Sequence, residues 1–399
     1  MKRGSTRVAI AMTLVGGGAL ATAACVGVLG FEELHVGVDA STVVDGGTDA
    51  APDAVDATPD TGPQCKHTRW PDHSDGGSGG GTSFVAAVRF IDFGLGEDAG
   101  ANLTPPGFDL DRFCTVAAGA NSCGATLGSS DFQTYVADKD GLNGGTDNGG
   151  YGLLRYLGMV GDTIKQDKLN QALVAGAYGI AIRVSGWNGM PDDPDVFVEW
   201  FPIIGVRGAD GGLTAPRFDL TDTWIRDGAY WNTLTYDTSN IIDQAAYVTG
   251  GKVVARLDSL ALSLPFYASY LTISLHDGVV VADIVEVSSG VYRLSNGTFA
   301  GRWSTRDLLA GVQTVYHPLL GTYLCQSATV YGQVKNTACP ARDIMALERS
   351  DGTDAGCNAV SIGVRFDTAI ATDRKNFAAR PDGGNPCVGA PVPANDDCQ

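Results

Sequence analysis

Strict alternation of apolar and polar residues is the clearest signal in the chain. From Tyr270 to His276 the apolar Leu271, Ile273 and Leu275 interleave with Tyr270, Thr272, Ser274 and His276, the period of two that marks a strand with one buried face. Asp277-Gly278 follows, then the β-branched run Val279 to Val287, so the pattern predicts a hairpin turning at the Asp-Gly pair. The same logic predicts a second hairpin, Val291 to Ser295 and Thr298 to Trp303, about Asn296-Gly297. Further strands are predicted over Ser83 to Phe93, Tyr178 to Ser185, Val196 to Phe201, Lys252 to Leu264 and Ala359 to Phe366. Helical periodicity is scarce. One helix is predicted from an Asp162 cap to Ala175, with Leu169, Ala172 and Leu173 on one face and Gly176 at the stop; another starts at Ser304, where Ser304 and Asp307 imitate a capping box before Leu308 and Leu309. The expected class is mainly β, an antiparallel β-sandwich of jelly-roll or concanavalin-like type with a few short covering helices.

Composition agrees with that class and adds a compartment. With 399 residues, 44% hydrophobic, 18% charged and 54 glycines, the chain has the material for a sizeable core and many turns. Its net charge of −18 speaks against nucleic acid as a partner and for divalent cations or neutral ligands. The N-terminus departs from the rest. Lys2, Arg3 and Arg7 precede the uncharged run Val8 to Ala21, and Ala23-Ala24 precede Cys25, the layout of a signal peptide over residues 1–24 with lipid attachment at Cys25. That run, about 14 residues, is short of the roughly 20 that cross a bilayer as a helix. Ordinary secretion, with cleavage at Ala19-Leu20-Ala21 or Ala21-Thr22-Ala23, would leave Cys25 a thiol. Parity favours the lipid: nine cysteines leave one over after pairing, and lipidation of Cys25 leaves an even set.

The even set is Cys65, Cys114, Cys123, Cys325, Cys339, Cys357, Cys387 and Cys398. Short loops point to Cys114 with Cys123 and Cys325 with Cys339, the other four tying the termini together. Residues 25–64 read as a lipid-anchored acidic tether: no Lys or Arg lies between Val8 and Cys65, while Glu32, Glu33, Asp39, Asp45, Asp49, Asp53, Asp56 and Asp60 repel one another along a chain too poor in apolar residues to order itself. The expected folded domain, 65–399, thus sits in a bacterial cell envelope as an outer membrane lipoprotein or a secreted protein. Its partners are the membrane through the N-terminal lipid and a polysaccharide or another envelope protein.

Three acidic loops carry the chemistry. Asp138, Asp140, Asn143 and Asp147 alternate with glycines, offering the hard oxygens and tight turns that Ca²⁺ requires. The loop is not an EF-hand, since Gly149 occupies the twelfth position from Asp138, and the same residues also suit a solvated turn. Asp192 or Asp193 in the loop after Tyr178 to Ser185, and Asp109 with Asp111, are the expected completing ligands. Their oxygen chemistry, without His or Cys, favours Ca²⁺ over zinc. A binding module is expected to bring Trp187, Trp224, Tyr230 and Trp231 to one exposed rim, with Asn188 beside Trp187 contacting the ligand; the alternative, a carboxylate-dependent glycoside hydrolase or lyase, buries two carboxylates in a cleft. Gly-x-Ser-x-Gly, His-Glu-x-x-His, Cys-x-x-Cys and a phosphate-binding Gly-rich loop are all absent from the sequence. Enzymatic activity stays open.

Phe108-Asp109-Leu110-Asp111 followed by Cys114 and Cys123, the Asp138 to Asn148 loop, Trp187-Asn188-Gly189, Gly301-Arg302-Trp303 with Asp307-Leu308-Leu309, and Cys357 to Ser361 with Phe366 together resemble an uncharacterised lipoprotein-like family of predatory soil bacteria. The resemblance spans roughly Phe84 to Ala371. It implies a disulfide-stapled surface domain and no particular activity. Arg112 stands where a tight metal-binding turn would carry glycine.

Overall fold

The computed structural model describes residues 68–94, 106–112, 146–160 and 165–398, except 75, 78, 209, 232–237, 268, 353–354, 375 and 380–385. Asp138, Asp140, Asn143, Cys25, Cys65, Cys114 and Cys123 lie outside these residues. The strands are β1 (Thr82–Asp92), β2 (Gly179–Trp187), β3 (Asp193–Arg207), β4 (Thr223–Asp227), β5 (Ile242–Thr249), β6 (Lys252–Phe266), β7 (Ser269–Ser288), β8 (Val291–Ser304), β9 (Tyr316–His317), β10 (Thr322–Tyr323), β11 (Ala359–Ala371) and β12 (Phe377–Ala378). The α-helices are α1 (Gly149–Val160), α2 (Gln166–Val174), α3 (Thr305–Gln313) and α4 (Ala328–Ala338).

The protein is mainly β and antiparallel, with short helices. Its sheet runs β12-β4-β3-β2-β1-β11-β8-β7-β6-β5, and every pairing but β12–β4 is antiparallel. β3 is long enough to serve two neighbours on one edge: residues 193–199 pair with β5 and residues 203–207 with β4. Because β3 also pairs with β2, the sheet closes on itself, and the two layers of the sandwich-like core belong to one circuit. Closure is local: β5 pairs with β6 only over Lys252 to Val254, and the rest of β6 pairs with β7 alone. The inward residues alternate as strand geometry demands: Phe84, Ala86 and Val88 in β1, Ile180, Ile182 and Val184 in β2, Val196, Val198 and Trp200 in β3 all join one core. Leu169 and Leu173 of α2 and Leu308, Leu309 and Val312 of α3 cap it.

Both predicted hairpin turns are corrected. Asp277-Gly278 lies inside β7 and Asn296-Gly297 inside β8, which are continuous strands. Each pair marks a β-bulge. Asp277 (φ 46°) faces β8 where the register shifts between His276 and Val279, and Asn296 (φ 49°) lies where it shifts opposite Val281 and Asp283. Asp-Gly and Asn-Gly signal left-handed backbone, which a bulge uses as readily as a hairpin. The extra residue reverses which parity faces inward: Leu271, Ile273 and Leu275 precede Val280 and Ala282 in the core, and Leu294 precedes Phe299 and Trp303. The β5–β6 turn is instead made by Gly250 (φ 55°) and Gly251 (φ 79°), between the paired Thr249 and Lys252.

The helix expected at Ser304 forms as α3, the Ser304 hydroxyl accepting from the Asp307 N–H. The helix expected to end at Gly176 forms as α2, with Gly176 (φ 76°) after its end, but it starts at Gln166 behind an N-cap at Lys165, and the expected Asp162 cap lies outside the described residues. The disulfides are Cys325–Cys387 and Cys339–Cys398, and Cys357 is disulfide-bonded as well. The structure corrects both the expected Cys325–Cys339 pair and the expected set of four at the termini, since Cys387 and Cys398 each bond one of those two. Cys325 and Cys339 flank α4, whose 11 residues rise about 16 Å, beyond the roughly 7 Å a disulfide spans between Cα atoms.

Candidate metal centre

The segment 106–112 lies on the outer face of the sheet. Phe108 and Leu110 bury their side chains against Val254, Val279, Ala300, Ile344 and Ala359. Gly363 of β11 permits the approach, since a Cβ there would sit 2.1 Å from the Pro106 carbonyl oxygen. Next to this segment runs 146–149, joined to it by the Asp147 N–H, which donates to the Phe108 carbonyl at 3.0 Å.

Alternation along 106–112 sets Asp109 and Asp111 apart from the two apolar anchors. With Asp147 they form a group in which one carboxylate oxygen of each lies within 4.8 Å of the others, and all three residues are buried. Backbone amides hold two of them in place. Asp147 Oδ2 accepts from the Leu110 N–H at 2.6 Å and the Asp111 N–H at 3.2 Å, and Asp109 Oδ1 accepts from the Arg112 N–H at 2.6 Å. Arg112 adopts φ 69°, so the tight turn that glycine would favour is made by arginine at a cost in backbone strain.

Around the carboxylates the support is polar and buried. Asn148 caps α1, its Oδ1 accepting from the Tyr151 N–H at 3.0 Å while its Nδ2 donates to the carbonyls of Pro106 at 2.7 Å and Gly363 at 3.2 Å. The Gly149 N–H donates to Asp343 Oδ2 at 3.0 Å and Ser361 Oγ at 2.8 Å. Burial raises the Asp343 carboxyl to about 6, against bonds from Ser361 and Gly149 that favour the charged form. Arg302 grips Asp351 through both nitrogens at 2.7 Å and donates to the carbonyls of Leu110 and Met345, each at 2.8 Å. Burial opposes its charge, yet Asp351, Asp147 and Asp111 together raise its affinity for the proton. The Thr146 hydroxyl is buried with no hydrogen-bond partner among the described residues.

Three of the ligands expected from the sequence therefore meet. Asp192 and Asp193 do not join them. Asp192 Oδ1 accepts from the Gly250 N–H, and Asp193 accepts from the N–H groups of Asn188 and Asp195, so both shape the turns beside β3. Sequence reasoning missed Asp343, which carries no local signal. Arg302 and Ser361 stood only inside the motifs of the resemblance.

The exposed aromatic rim is also corrected. Trp187, Trp224 and Trp231 are 3–5% exposed. Trp187 packs against Phe84 and Tyr292 and donates to the Met190 carbonyl at 2.8 Å; Asn188 spends its amide on Gly77, Asp192 and Met190. Trp224 and Trp231 cover the outer face at β1 to β3 with Phe201, over whose ring Arg226 lies at 4.0 Å. Closing the sheet left this apolar face to be roofed, and the tryptophans roof it. His276 is likewise engaged: its Nε2 meets Asp307 Oδ2 at 2.6 Å, the oxygen that also accepts from Ser304 Oγ at 2.6 Å. The carboxylate stands between hydroxyl and imidazole, so the histidine does not activate the serine. Compared with family models, curated proteins and solved structures, the chain matches none.

Proposed function

We propose that the protein is an envelope-anchored lipoprotein whose β domain is a calcium-stabilised binding or structural module. The observation that carries the calcium reading is the Asp109, Asp111 and Asp147 group. Oxygens bound to one Ca²⁺ at 2.3–2.6 Å are at most about 5 Å apart, and these lie within 4.8 Å of one another. Buried carboxylates this close repel strongly in low dielectric, and a divalent ion relieves the repulsion. Backbone amides orient the Asp109 and Asp147 carboxylates before any ion arrives. Oxygen-only donors again favour Ca²⁺ over softer metals.

The glycoside hydrolase reading is less well supported. Its two carboxylates flank a sugar in an open cleft, whereas Asp109, Asp111 and Asp147 are all buried. The anchor rests on the signal ending at Cys25, and the disulfides suit an oxidising compartment. Calorimetric titration of chelator-stripped protein with Ca²⁺ tests the proposal. Saturable binding at one site, abolished by Asp109→Asn with Asp111→Asn in a folded variant, is the expected result; no heat and no change in melting temperature overturns it. Extraction only by detergent, and release by Cys25→Ser, is expected for the anchor.

A further inference from the structure

We infer that the end of the domain built by the β6–β7 turn and the β9–β10 hairpin is a membrane-contact surface that beds into the interface of a lipid bilayer. In a chain of net charge −18, three segments hold no Asp, Glu, Lys or Arg: Ser259 to Leu275, Leu308 to Val334 and Pro386 to Asn395. The fold gathers them. The Tyr316 N–H donates to Ser269 Oγ at 2.8 Å, fixing the β9–β10 hairpin to the β6–β7 turn, and the Cys325–Cys387 disulfide fastens the third segment beside them. Gln326 Nε2 donates to the Pro386 carbonyl at 3.2 Å, reinforcing that attachment.

The tips at this end expose large apolar and aromatic side chains. Leu319 is 76% exposed and Leu320 43%, at a hairpin tip bounded by Pro318 and Gly321; Val388 is 81% exposed, and Tyr267 and Tyr270 stand out at the neighbouring turn. Leucines at a tip with tyrosines behind them suit the graded polarity of a bilayer interface. Among the described residues of these three segments no charged side chain is brought to this end, which favours lipid over protein as the occupant. Protein interfaces carry a polar rim, whereas lipid contact penalises every charge brought to it. A lipid tether at the other end of the chain would keep this surface within reach of a membrane, so the inference rests on the envelope anchor proposed above.

Flotation with phosphatidylcholine vesicles tests it, using the mature chain with Cys25→Ser so that no acyl chain contributes. The unlipidated protein should float with the vesicles. Leu319→Asp with Leu320→Asp should cut the bound fraction about tenfold or more at unchanged melting temperature, while Met190→Asp, at another exposed apolar residue, should not. Flotation that is absent, or that the double substitution leaves intact, overturns the inference. So does a dimer in sedimentation velocity that the double substitution dissolves, which would assign the surface to a second copy. Loss of flotation by the unlipidated chain, with wild-type protein still requiring detergent, would discard this surface and leave the anchor standing.

Discussion

Asp147→Asn separates a cation site from a purely hydrogen-bonded acidic turn, because the two give stability changes of opposite sign. The substitution preserves shape and keeps a carbonyl oxygen to accept from the Leu110 and Asp111 N–H groups. What it removes is one charge. With no cation, at no more than 4.8 Å and an effective dielectric of about 20, each like-charged pair costs at least about 3.5 kcal/mol before Arg302 offsets part of it, so neutralising Asp147 should stabilise the fold. With calcium bound, the loss runs the other way: a site at a hundredfold excess over its dissociation constant contributes about 2.7 kcal/mol, and a lost ligand forfeits most of it. The assay is thermal unfolding of wild type and variant, in millimolar Ca²⁺ and in chelator. The expected pattern is a variant less stable than wild type in calcium and equal or more stable in chelator. A variant more stable than wild type in both media would refute the cation site and leave the carboxylates as turn-forming acceptors.

The remaining predictions concern the scaffold. Gly363→Ala sets a Cβ 2.1 Å from the Pro106 oxygen, so the 106–112 segment must lift; a loss of about 1–3 kcal/mol in denaturant melts, with weakened calcium binding, is expected, and an unchanged midpoint would show that the close approach is dispensable. Non-reducing peptide mapping should recover Cys325–Cys387 and Cys339–Cys398; Cys339→Ser with Cys398→Ser, opening a separation of 59 residues, should lower stability by about 4 kcal/mol, and a Cys325–Cys339 peptide would contradict the pairing. Asp343 binds its proton more tightly folded than unfolded, its carboxyl standing at about 6 against the ordinary 3.8. Its contribution is therefore greatest below pH 4 and is lost as pH rises from about 4 to about 6. Asp343→Asn should flatten that part of the stability profile in chelator, and an unaltered slope would place the titration elsewhere.

Local pattern carried most of the fold class. Apolar, β-branched runs located β1, β2, β6 and β11 to within a few residues at most ends, except that β11 runs on to Ala371, and the Ser304 cap announced α3, because strand-forming residues and caps are short-range signals written where they act. The helices α1 and α4 carried no such signal: Gly149, Gly150 and Gly152 dilute the one, and the other is held by disulfides from a distant segment. The Asp-Gly and Asn-Gly pairs show the limit of local reading. They specify left-handed backbone, and only strands on either side decide that the chain continues through a bulge.

The site divides the same way. Residue chemistry alone nominated Asp109, Asp111 and Asp147 as oxygen donors, since carboxylates alternate along an extended segment and around glycines. That these three meet, and that Asp192 and Asp193 serve turns instead, was decided by tertiary structure: the 106–112 segment lies on β11 because Gly363 admits it, and Asp147 reaches it across 36 residues through backbone amides. The tryptophans make the converse point. As a sequence they read as a ligand platform, and closure of the sheet through β3 and β5 left an outer apolar face that Trp224 and Trp231 cover, its exposure to water being more costly than burying them.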